Sequence, residues 1–261
     1  MIFKIDSGNG FWYPHQFIYV TNNTVGYGLG TSLEAREVSF FPGDDTRFAI
    51  IWNGIEGTQI YKLNNVGLFA LEETIPDFVG VFEGLEVDNV NAINYGGLGV
   101  ANDDTIVVSR RAQVSETDAT YEKLRKDTMY YGIFVYKRNQ INEWNIDQIV
   151  IAPEFKNDIE NTGPQIKTNN EYLIISGREY DEAPYKRFDI GVVYLYRYNG
   201  KKYEFIKKFT GDAIRNLDAN GTPIDDNFDS FFGDYIGLSV DENNNPVIIA
   251  SATEESPSGF I

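Results

Sequence analysis

Residues 216–226 read NLDANGTPIDD and place oxygen-bearing side chains where a cation would need them. Asn216, Asp218 and Asn220 alternate, Gly221 permits a sharp turn, and Asp225 and Asp226 follow. Ca²⁺ takes about six to eight oxygen ligands in flexible geometry, and a single loop supplies several of them through this pattern. Asn216, Asp218, Asn220 and Asp225 are therefore candidate ligands, and Ca²⁺ is the candidate cofactor. A weaker second loop is DENNN, residues 241–245, with Asp241, Asn243 and Asn245 but Pro246-Val247 where another acid is expected. Asp and Asn are also ordinary turn residues, so both loops have a conformational alternative.

Other chemistry is narrowly bounded. The chain has no cysteine, which removes thiol nucleophiles, thiolate metal sites and disulfides. Its single histidine, His15, cannot build a histidine metal cluster within one chain. A Ser-His-Asp triad would have to use it, and no nucleophile elbow is present. His15 reads as structural or surface. Glycoside hydrolysis needs only two carboxylates, and the 39 acids offer many pairs, none singled out by context. Tyr180, Asp181, Glu182 and Tyr185 form an acidic, aromatic loop suited to a basic partner, with simple solvation as the alternative. Trp12, Trp52 and Trp144 are expected to pack between structural units, a sugar-stacking platform being the second reading.

The net charge of −17 and pI near 4.4 repel phosphate backbones, so nucleic acid and anionic membrane are not expected partners. Cations, basic proteins and neutral glycans remain. No window approaches the roughly 20 apolar residues of a membrane span. MIFKIDSGNG lacks the pattern of a signal peptide, which points to a virion, the cytoplasm or export by another route.

These residues need elements to hold them. Frequent Tyr, Phe and Gly favour strands and tight turns. Four apolar runs recur: FAIIW (48–52), TIVVS (105–109), YLIIS (172–176) and VIIAS (247–251). Each suits a strand buried on both faces. A Gly-containing segment precedes each: GYGLGTS, YGGLGVA, NTGPQIK and FFGDYIGLS. A Gly and a further strand pattern follow: GTQIYKLN, GIFVYKRN, GVVYLYRYN and, at 258–261, SGFI. The first three are followed by a fourth strand pattern: LFALEETIP, EWNIDQIVIAP and YEFIKKF. Four antiparallel strands make a propeller blade. With Trp12 laid on Trp144, Gln16 falls on Gln148, Ile2 on Phe134 and Met1 on Ile133. The N-terminal segment then supplies the outer half of a blade whose inner half lies at the C-terminal end.

The expected fold is an all-β propeller of four four-stranded antiparallel blades. Residues 1–21 and 231–261 share the closing blade, and residues 22–80, 95–153 and 161–210 form the others. The Gly-containing first strand, IVVS-type second strand, G-(I/V)-(F/V)-V-Y third strand and W-x-x-x-Q fourth strand resemble FG-GAP repeats, the repeats of integrin α-subunit propellers and related bacterial and viral proteins. Phe232-Gly233 and the equivalents Gly30, Gly97 and Gly163 stand where that family carries its Phe-Gly. The family's usual count is seven blades, against four here, and it carries calcium between strands one and two, a place matched here by Asp241 to Asn245. The resemblance implies a non-enzymatic scaffold that binds a protein or glycan. A virion component, such as a tail, fibre or portal-associated protein, fits this reading. Calcium-dependent adhesion on a bacterial surface and a propeller-type glycan hydrolase are the alternatives. The connections at 76–94, 110–131, 177–189 and 210–230 are long and emerge on one face, where repeat proteins commonly bind. Covering the mouth of the ring is the other reading. Within them, SETDATYEKLRKD (115–127) predicts a helix, with a capping Ser, early acids and late bases.

Overall fold

The computed structural model describes residues 2–5, 12–16, 18, 35–52, 57–91, 96–116, 129–156, 164–177, 191–210 and 232–251. Asn216, Asp218, Asn220, Asp225, Tyr180, Asp181, Glu182 and Tyr185 lie outside them. Among the described residues the chain is all-β, with strands and no helix.

The first sheet has the order β3 (Ala35–Phe41), β4 (Asp44–Trp52), β5 (Thr58–Leu63) and β6 (Phe69–Ile75), all antiparallel. The third repeats this with β13 (Gln165–Thr168), β14 (Tyr172–Gly177), β15 (Val192–Tyr198) and β16 (Tyr203–Thr210). The second contains β9 (Leu98–Asn102), β10 (Thr105–Glu116), β11 (Met129–Arg138) and β12 (Trp144–Lys156), and it is larger. Along Thr105–Val108 the edge of β10 facing away from β11 pairs with β9, and along Arg111–Glu116 it pairs with β8 (Leu85–Asn91), which pairs in turn with β7 (Gly80–Phe82). Two further pairs stand as two-stranded sheets: β1 (Ile2–Ile5) with β2 (Trp12–Gln16), and β17 (Ile236–Val240) with β18 (Pro246–Ala250).

The apolar runs of β4, β10 and β14 form strands covered on both faces, whereas that of β18 leaves Val247 and Ile249 exposed, against the expectation. Ile106, Val107 and Val108 are all buried, as are Leu173, Ile174 and Ile175. Alternate residues of each run enter different cores. Ile106 and Val108 join Ala49, Ile51 and Ile60 between the first and second sheets. Val107 joins Ile166, Leu173 and Ile175 between the second and third. Ile174 and Val193 join Ile236 against the β17–β18 pair. On the far face of the first sheet, Phe48, Ile50 and Tyr61 are covered by Ile18, just beyond β2. The first strands run side by side, β3 next to β9, β9 next to β13 and β13 next to β17. They curve tightly enough for Lys167 of β13 to reach Glu37 of β3 at 2.9 Å, past the strand between them.

One irregularity recurs. A β-bulge interrupts each outer pair: Ile60/Tyr61 against Glu73 and Leu71, Val135/Tyr136 against Gln148 and Ile146, Leu195/Tyr196 against Lys207 and Phe205, and Ile2/Phe3 against Gln16 and Pro14. The extra residue twists the strand locally. It also fixes the correspondence of β1: Ile2 lies opposite Gln16 as Val135 lies opposite Gln148. Ile2 thus matches Val135, one place from the Phe134 that spacing from Trp144 suggests, because the turn between β1 and β2 is one residue longer.

Two expectations are corrected. Ser115 and Glu116 pair with Glu86 and Leu85 as part of β10, so no helix starts at Ser115; residues 117–128 lie outside the described set. The connection at 76–94 is not a bare loop either, since it holds the β7–β8 hairpin. At Ser115 and Glu116 partnering along β10 overrides the local helix signal, as tertiary context commonly does.

Candidate functional site

The long-connection end is represented among the described residues by the outer half of the second sheet. There β10, β11 and β12 run on beyond the level at which β9 ends, and β7–β8 widens them. The hairpin turns at Glu83-Gly84, both with positive φ (47° and 85°), the mirror-image turn geometry that matches the twist of paired strands. Val81 of β7 and Val79, just before that strand, are exposed.

The base of this extension is pinned. Arg110, buried, donates from Nε to Asp77 Oδ1 at 3.1 Å and from a terminal nitrogen to the Gly57 carbonyl at 2.8 Å. Asp77 Oδ2 accepts from the Gly57 amide at 3.0 Å. The next residue, Phe78, donates its amide to the Tyr136 hydroxyl at 3.1 Å. Burial, helped by the Asp77 charge, pushes the Tyr136 phenol far above its ordinary range, so it stays protonated. A buried ion pair holds position when its remaining hydrogen-bonding groups are satisfied, and here one pair ties the first and second sheets to the segment that starts the hairpin.

The sheets are joined by repeated devices. Gln148 Nε2 donates to the Tyr203 carbonyl at 2.9 Å while its Oε1 accepts from the Tyr203 amide at 2.8 Å. Gln16 does the same to Phe69, at 2.7 Å in both directions. His15 adds a hydrogen bond to the Gly67 carbonyl at 2.9 Å. At the matching place in the first sheet, Glu73 pairs with Arg138 at 2.7 Å. Ser109 and Ser176, ending their apolar runs, donate to the Pro164 and Gly233 carbonyls at 3.2 and 2.7 Å. Gly97 lies so close to the third sheet that a Cβ would stand 2.6 Å from the Ile166 nitrogen and the Pro164 oxygen.

The opposite end carries short turns closed by a side-chain oxygen. Asn64, Asn139 and Asp241 each accept two amides, from residues two and four further on. The fourth residue of each loop, Gly67, Asn142 or Asn244, has positive φ. Asp241 therefore uses its oxygens within its own turn, with Asn245 Nδ2 on the second at 3.0 Å. Among the described residues, no group of three or more His, Asp or Glu side chains is placed to hold a metal ion. Trp144 packs against the core between the first and second sheets, with the Arg138 guanidinium 4.7 Å above its ring.

The Asp77–Arg110 pair and the hairpin escape a reading of the sequence. GVFEGLEV does contain alternating apolar residues about Glu-Gly, a signal weaker than Asn-Gly, and nothing near Arg110 marks it. Comparison of the chain with protein-family models and with curated protein sequences finds no match.

Proposed function

We propose that the protein is a non-enzymatic β-propeller recognition module, binding a protein or glycan partner through its long-connection end, as a component of a larger assembly such as a virion tail, fibre or portal-associated structure. The sheets are its blades, four in number, with β17–β18 and β1–β2 as the halves of the fourth. The observation that carries this reading is the built extension at one end: sheet two continues outward on a buried, fully bonded base, while the other end is trimmed to tight turns. Curvature close enough to bring Lys167 to Glu37 supports a small ring. The buried glycine approach at Gly97 agrees with the FG-GAP resemblance.

The test compares the wild type with Val79→Asp/Val81→Asp at the hairpin and with Glu143→Gln at the short-turn end, on a panel of neutral glycans and basic proteins. Loss of a bound partner in the first variant alone supports the reading. Equal binding by all three, or loss only at Glu143, moves recognition elsewhere.

A further inference from the structure

The β15–β16 hairpin reverses the charge of the chain around it. Residues 192–210 carry five bases and one acid, in a chain of net charge −17. Lys201, Lys202 and Lys207 are exposed and meet no carboxylate among the described residues. The other lysines and arginines whose side chains are described, Lys208 apart, each meet one, from Arg197 on Glu171 at 2.5 Å to Lys62 on Glu72 at 3.8 Å. The Lys207 ammonium lies 5.0 Å from the Phe209 ring centre and that of Lys208 lies 5.9 Å from the Tyr194 ring centre, contacts that lay the lysine stems along the sheet. The repeat shows what has changed. The extra residue at the β-bulge is Glu72 in β6, Asp147 in β12 and Ile206 in β16. Glu72 and Asp147 pair with the third-strand bases Lys62 and Lys137, at 3.8 and 2.8 Å. The third sheet instead places an isoleucine there, 52% exposed, beside Phe205 at 56%. Its third-strand base, Arg197, turns to Glu171. Lys207 and Lys208 follow where the first sheet has Glu73 and Thr74. Lysine on an edge strand guards against pairing with other chains, but an exposed isoleucine in place of an acid does not serve that end.

We propose that this hairpin is a docking site for a short acidic segment of a partner protein, one that carries an apolar side chain between its acids. Lys201-Lys202 at the turn and Lys207-Lys208 beyond the bulge hold the acids, and Phe205 and Ile206 cover the apolar residue. The two lysine pairs stand about 16 Å apart along an extended strand, the span of roughly five residues. Side chains carry the contact rather than strand addition. The Tyr203 amide and carbonyl are already bonded to Gln148, and the bulge breaks the edge at Ile206. The partner segment is short because the rest of the chain is acidic. A membrane or a nucleic acid spreads its charge well beyond the roughly 10 Å over which charges act in salt, and so meets the surrounding carboxylates too. The site belongs to a different sheet from the β7–β8 hairpin and does not rest on recognition there.

The test follows the fluorescence anisotropy of a labelled peptide, Glu-Glu-Phe-Glu-Glu-Leu, at low and high salt. The wild type is expected to bind it, more weakly at high salt, and not to bind the counterpart with Gln for Glu. Lys207→Gln/Lys208→Gln should weaken binding roughly tenfold, the loss of two exposed ion pairs. Phe205→Ser/Ile206→Ser should weaken it at both salt concentrations. Val79→Asp/Val81→Asp should bind the peptide as the wild type does, so failure of this site and failure of recognition at the long-connection end are told apart. No binding of the peptide by the wild type overturns the site. Equal binding by the wild type and the lysine variant, with matching circular dichroism, overturns it as well. Binding of the wild type to vesicles rich in phosphatidylserine but not to the peptide overturns the protein partner in favour of a membrane. Aggregation of the lysine variant, with no peptide binding by the wild type, makes the lysines edge protection and overturns the docking role.

Discussion

The carboxamide of Gln16 grips the backbone of Phe69 with both of its hydrogen bonds, each 2.7 Å long, as Gln148 grips Tyr203. Phe69 and Tyr203 open β6 and β16, each at an edge of its sheet, and each glutamine lies four residues after the Trp that opens its own strand, β2 or β12. A backbone position chosen twice by the same side chain at the same register is a repeat unit at work. It makes β2 a neighbour of the first sheet in the sense that β12 is a neighbour of the third.

Gln148→Ala removes both partners of the Tyr203 main chain and is expected to destabilise by about 1–3 kcal/mol, the usual cost of leaving partly buried polar groups unpaired. Gln16→Ala should cost a similar amount if β2 is an integral part of the fold. Urea titrations read both. A negligible change for Gln16→Ala beside a clear one for Gln148→Ala would detach β1–β2 from the cooperative unit.

Asp77→Ala leaves the Arg110 guanidinium buried without its charge partner, with an expected loss of about 3–5 kcal/mol. A double change, Asp77→Leu/Arg110→Met, should recover much of that loss, since apolar replacement of a buried pair is often neutral. Thermal melts of the two variants decide it. If the single change is silent, the pair does not hold the base of the hairpin.

Glycines separate by surroundings. Gly97→Ala drives a Cβ into main-chain atoms of the third sheet at 2.6 Å, and overpacking of this kind costs about 1–3 kcal/mol. Gly43→Ala meets nothing within 4 Å but must hold φ near +78°, for about 1 kcal/mol of backbone strain. Gly97→Ala should therefore be the more damaging by denaturant midpoint, and the reverse order would contradict the close approach between the sheets.

Two turn carboxylates give a sign for pH. The Thr46 hydroxyl, then its amide, hold Asp44 below the ordinary carboxylate range, and the Asn245 side chain, then its amide, do the same for Asp241. A carboxylate depressed in the folded state stabilises it above the unfolded value of 3.8 and loses that contribution as pH falls further. Asp44→Asn/Asp241→Asn should thus show a smaller drop in melting temperature between pH 5 and about pH 3 than the wild type. Parallel losses would place the acid sensitivity elsewhere.

Much of this fold is legible in the chain. The apolar runs at 48–52, 105–109 and 172–176 lie in the second strands of their sheets, and Trp144 and Gln148 mark an edge strand of the second sheet, because burial on two faces and a recurring contact leave residue-type signatures; the run at 247–251 forms β18, which is open on one face. The reading slips where a signature is local. FAIIW, taken as equivalent to TIVVS, is one residue out: Ala49 faces Ile60 as Val107 faces Val135, since the bulge rather than the run sets the register. The helix reading of 115–127 failed at its first residues because β8 was there to pair with β10. The Asp77–Arg110–Gly57 base joins residues whose sequence separation carries no pattern, and only the curvature of the sheets brings them together.

The proposed ring is tested most directly by the distance between β3 and β18. Spin labels on Val38→Cys and Ile249→Cys, in a chain without other cysteines, report it by pulsed electron resonance. Adjacent packed sheets lie about 10 Å apart, so a closed ring predicts one narrow distribution centred at roughly 20 Å or less, labels included. A distribution centred beyond about 30 Å, three sheet spacings, would contradict it.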